Sequence, residues 1–85
     1  MAILIKQDGE VIDNYDASNL KKKQAAVGGY IQYVRTELDF IFCVNEEALL
    51  MNAEINKTAS RLADMVLLGD VLLMNVDEME EEDRE

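Results

Sequence analysis

Two groups of residues carry most of the chemistry that this chain of 85 residues offers. The first is Asn45-Glu46-Glu47 together with Asn56, Thr58, Ser60 and Arg61. Amides and hydroxyls both donate and accept, which is what a site reading a polar small molecule needs. The plainer reading of the same residues is a turn at Asn45 and a helix cap at Asn56. The second group is Gly28-Gly29-Tyr30, where successive backbone N–H groups can cradle an anion or another ligand. Here too there is a plainer reading. Gly28 in a left-handed conformation stops a helix, and Gly29 lets the chain turn into a strand.

Reaction chemistry is poorly provided for. Histidine is missing, which removes the commonest general base, the Ser-His and Cys-His nucleophile pairs and the usual zinc ligand. The single cysteine, Cys43, lies inside "FIFCV" and reads as a buried, inert hydrophobe. One cysteine builds neither a disulfide nor a cysteine-based zinc site. No phosphate-cradling glycine signature and no EF-hand spacing occurs. Glu46 and Glu47 are adjacent acids at a turn, a pattern that ordinarily marks solvated surface. An enzyme is therefore not expected, and no catalytic residue, metal site or cofactor is assigned.

Charge narrows the partners. Eighteen acids against eight bases give −10, which disfavours direct nucleic-acid binding through phosphates. The stretch "DEMEEEDRE" at 77–85 holds seven acids and one arginine and contributes −6, leaving −4 for residues 1–76. Asp77, Glu78, Glu80, Glu81, Glu82 and Asp83 form a candidate partner-binding tail, able to imitate a phosphate ladder; the alternative is a mobile, solubilising extension. The apolar runs "ALLM" and "FIFCV" are too short to span a bilayer.

The elements that must position these groups follow from local pattern. "AILIK" and "VI" around Asp8-Gly9 predict a β-hairpin. The stretch "DNYDASNLKKKQAAV" predicts a helix capped by Asp16 or Ser18, with Ala17, Leu20 and Val27 on one stripe and Lys21, Lys22 and Lys23 in its second half. "YIQYV" and "FIFCV" read as central strands joined by a turn at "RTELD"; the second is apolar on both faces, as a strand covered on both sides would be. "ALLMN" reads as a further short strand, Asn56 as the cap of a second helix reaching Asp64, Gly69-Asp70 as a turn, and "VLLMNV" as a last strand. The expectation is a compact α+β domain over 1–76, a mostly antiparallel sheet with two short helices packed on one face, followed by the tail at 77–85.

In order along the chain, "AVGGYIQYV", "FIFCVNEEALL", "INKTASRLA" and "GDVLLM" resemble a family of small domains of unknown function found in bacteriophages and mobile elements. Its landmarks stand at Val27, Gly28, Gly29 and Tyr30, at Asn45, Glu46 and Glu47, at Asn56, Ala59 and Ser60, and at Gly69 and Asp70. Ala48 departs from the glycine that members carry after N-E-E. The resemblance implies a phage or mobile-element accessory protein in the cytoplasm of a bacterial host. On that basis the expected function is non-enzymatic: stoichiometric binding of a host protein or a nucleotide-like small polar ligand, counteracting a host defence or regulatory system. The alternatives are a structural or assembly module with an exposed strand edge, and an acidic nucleic-acid mimic acting through the tail. A homo-oligomer is expected, because a core this small supplies little stability alone.

Overall fold

The computed structural model describes residues 2–36 and 40–75. The chain runs β1 Ala2–Ile5, β2 Val11–Tyr15, α1 Leu20–Val27, β3 Ile31–Arg35, β4 Phe40–Asn45, α2 Lys57–Ala63 and β5 Val71–Asn75. The five strands form one sheet in the order β2-β1-β5-β4-β3, with every pairing antiparallel. The α+β class and the antiparallel sheet therefore stand as expected.

Local chemistry sets the ends of the elements. Gly9 takes φ 98 in the turn between β1 and β2, a conformation that costs glycine no Cβ clash. The cap of α1 is Asn19, whose side chain accepts from Lys22 N–H, and not Asp16 or Ser18. Asp16 instead closes the turn before it by accepting from Ser18 N–H. This shifts the helix start, so Lys21, Lys22 and Lys23 fall in its first half, away from the C-terminal end where cations suit the dipole. The buried stripe is consequently Lys23, Ala26 and Val27, with Leu20 left partly exposed.

The strand parity separates two cores. Ala2, Leu4, Ile41, Cys43, Leu72 and Met74 point to one face, where Ala26 and Val27 of α1 cover them. Ile5, Phe42, Val44 and Val71 point to the other, where Ala59 and Ala63 of α2 and Leu67 cover them. The helices thus lie on opposite faces, and the expected one-sided packing is corrected. The physical reason is in β4: Ile41 to Val44 are all buried, so both of its faces need a layer.

"ALLMN" does not form a strand. Residues 46–52 are a run of turns, with Leu49 and Leu50 almost fully exposed, and they lead to an isolated bridge between Ile55 and Leu68. The acidic residues Asp77 to Asp83 and part of the expected "RTELD" turn lie outside the described residues.

Candidate functional site

The glycine pair and the Asn-Glu turn, far apart in sequence, meet in space. Gly28 adopts φ 82 and ψ 21 as the C-cap of α1. Its N–H and that of Gly29 both donate to the Gln24 carbonyl, at 2.8 and 3.0 Å. These donors close the helix and do not form an anion cradle. Gly29 lies against Asn45: a Cβ there would stand 3.1 Å from Nδ2. Asn45 Nδ2 donates to the Val27 carbonyl at 3.1 Å, and Glu46 N–H donates to the Tyr30 carbonyl at 2.9 Å. The close approach of this amide is what asks for glycine at 29.

Asn45 itself shapes the turn that follows. Its Oδ1 accepts from Glu47 N–H at 2.7 Å and its carbonyl from Ala48 N–H at 3.2 Å. Ala48 is buried and has no positive φ, so the turn closes here without the family's glycine. Glu46 and Glu47 are exposed, as expected of acids at a turn.

Asn56 is a different kind of residue. It is 1% exposed, and its Oδ1 accepts from Ala59 N–H to cap α2. Its Nδ2 donates to the carbonyls of Ile5 and Gly69, both at 2.8 Å. Both amide hydrogens are used in joining the end of β1 to the approach of β5. Ser60 is similarly engaged with Leu67, donating to its carbonyl and accepting from its N–H. Thr58 and Arg61 lie on the exposed side of α2. The structure therefore does not gather Asn45, Glu46, Asn56, Thr58 and Arg61 into one pocket.

What it gathers is a cleft of about 320 Å³ at one end of the sheet. Val27, Asn45 and Ala48 wall one side, Gly69, Asp70 and Gln7 the other, and Met51, Asn52 and Ala53 form the rim between them. Asp70 is held in place by Gln7 N–H at 2.9 Å to Oδ1 and by Lys6 Nζ at 3.7 Å to Oδ2. Its two oxygens have more lone pairs than these contacts use. Gln7 and Asn52 were not legible as site residues. Gln7 follows an apolar strand with no motif of its own, and Asn52 reveals itself only by φ 55 in the folded chain. Asp70 had a signal, the Gly-Asp landmark, that the reading of a turn absorbed.

Lysine chemistry is spent elsewhere. Lys23 is fully buried under α1, with Nζ 3.2 Å from the Tyr33 hydroxyl and 5.7 Å from its ring centroid. Lys22 pairs with Asp16, and this ammonium with the Ser18 contacts holds the Asp16 carboxyl at about 2, below its ordinary 3.8. Neither Lys21, Lys57 nor Arg61 lines the cleft. Cys43 is wholly buried. Among the described residues no cluster of three metal-ligating side chains occurs, and no helix is long and apolar enough to cross a membrane.

Fold and site together define a small α+β domain whose two-sided antiparallel sheet carries a shallow polar cleft at one end. Residues 1–84 match the family described as Domain of unknown function (DUF3846), and the chain belongs to that family. No curated protein was found to match the chain, and no solved structure was found to match it.

Proposed function

We propose that the chain is a stoichiometric binding protein, acting without turnover, and that the end cleft holds an uncharged polar or amine-bearing group of a host protein or small molecule. The observation that carries this reading is convergence. Val27 beside the glycine pair, Asn45, and Gly69-Asp70 come from three separate segments and wall one cleft. Asn56, from a fourth, fixes that wall from behind through the Gly69 carbonyl. The polar groups at its mouth are amides and one carboxylate, which suit hydrogen-bond recognition. Lys21, Lys57 and Arg61 do not line the cleft, and the nearby Lys6 ammonium is paired with Asp70, which favours such a group over a nucleotide-like anion that needs local positive charge. In a phage or mobile-element setting, binding of this kind counteracts a host system by capture. The cleft is intracellular in this reading.

The test is native mass spectrometry on the full chain purified gently from bacterial cells, beside Gln7→Arg and Asp70→Asn. Gln7 is exposed, so the first variant fills and charges the cleft with little cost to folding. A retained molecule or host chain that both variants lose supports the reading. A bare chain, or retention equal in all three proteins, overturns it.

A further inference from the structure

Among the described residues the sheet has two edges, β2 and β3, and they are built differently. β2 is broken in register against β1 between Ala2 and Leu4, carries Asn14 at φ 56, and presents Asp13 outward. Bulges, left-handed residues and charges are devices that stop an edge from pairing with another strand. β3 has neither bulge nor left-handed residue, and its one charge is Arg35 at its end. Its five residues pair with β4 in unbroken register, from Ile31↔Asn45 to Arg35↔Ile41. It contains no glycine, proline, acid or positive φ.

Beside β3, on the face covered by α2, lies a groove of about 240 Å³ whose apolar part includes Val34, Val44, Leu49, Met65 and Val66, with Gln32, Asn45 and Glu46 as its polar part. Leu49 and Val66 are 77% and 66% exposed. Apolar side chains grouped at an open strand edge mark an interaction surface. We infer that β3 pairs antiparallel with β3 of a second copy of this chain, making a continuous ten-stranded sheet across a two-fold axis near Tyr33.

Two observations select a second copy as the occupant, and a consequence of the pairing agrees with them. The Glu46 N–H to Tyr30 carbonyl bond makes that position a hydrogen-bonded pair. By the alternation of antiparallel ladders, Ile31 and Arg35 then turn their backbone groups away from β4. These positions are symmetric about Tyr33, so the two-fold axis sets Ile31 of one copy against Arg35 of the other, and Gln32 against Val34. Charge points the same way. A chain of −10 repels its copies wherever acids are dense, yet residues 30–36 carry one arginine and no acid. Finally, the two-fold axis brings both grooves side by side on one face, so that the Leu49, Met65 and Val66 rims cover one another. This inference is independent of the end cleft.

Light scattering after size exclusion, on the full chain from about 1 to 500 µM, tests it. The expected mass is twice 9.6 kDa, with the dimer weakened at least about tenfold by Val66→Lys and by Leu49→Lys. Both sites are exposed, so far-UV circular dichroism should be unchanged, as should melting at concentrations where wild type and variants are all monomeric. A chain that stays at 9.6 kDa throughout overturns the inference. So does a dimer indifferent to both lysines, or one lost only when Gln7→Arg alters the cleft.

Discussion

β2 and β3 occupy equivalent places at the two ends of one sheet, yet they relate to the core in opposite ways. β2 is exposed at Val11 to Asn14 and contributes only the half-buried Tyr15 to the core. β3 is half-buried at Ile31, Tyr33 and Val34, which pack into the cores of both faces. The finished edge is thus the one that is dispensable to the core, and the unfinished edge is the one continuous with it. A strand that already shares its apolar side chains with the core extends that core when a second strand is added. A strand that shares only Tyr15 has mainly backbone groups to offer, and a bulge with charges keeps these from mispairing.

The contrast predicts unequal sensitivity to substitution. Phe42→Ala, in the strand beside β3, removes a side chain 1% exposed and should cost about 3–5 kcal/mol. Ile12→Ala in β2, partly exposed, should cost under about 1 kcal/mol. Urea titration of both variants checks this, and equal losses would break the comparison. Gly28→Ala acts at the junction feeding β3. Space for a Cβ is open there, so the cost is that of φ 82 alone, about 1 kcal/mol. A larger loss would mean that the junction is also packed.

The smallest effect belongs to Asp16, just past β2. Its folded pKa of about 2 is below the model-peptide value of 3.8, through hydrogen bonds from Lys22 and Ser18. A depressed carboxyl stabilises the fold above its unfolded pKa, and that contribution is lost as pH falls through its folded pKa. The group is exposed, so the change is small and screened by salt. Asp16→Asn should therefore leave the melting temperature less dependent on pH between about 4 and 2 than the wild type, at low ionic strength.

Much of the fold was legible because single residues decide single elements. Asp8-Gly9 permits few structures other than a hairpin turn, Gly28 stops a helix, and Asn56 starts one. The cap of α1 was harder, because Asp16, Ser18 and Asn19 are all good caps and only the backbone geometry chooses Asn19. The placement of the helices was legible in principle. "FIFCV" is apolar at both parities, which already requires two covered faces and is incompatible with both helices on one. "ALLMN" reads as a strand because apolar content ordinarily signals burial, whereas Leu49 and Leu50 face outward.

The cleft had no such local signature. Gly69-Asp70 lies beside Gln7 because β5 inserts between β1 and β4, and strand order is a long-range property that no segment encodes alone. Lys23 was hidden for a similar reason. A lysine at helical spacing from Ala26 and Val27 reads as surface until Tyr33, on the strand that follows α1, folds back to supply a hydroxyl and a ring face.

The edge contrast itself is tested most directly by amide hydrogen exchange of the intact chain at low and high protein concentration. The amides of Ile31 and Arg35 should exchange more slowly as concentration rises, while those of Val11 to Asn14 stay unchanged. Exchange at β3 that ignores concentration, or slowing at β2 instead, would contradict the account.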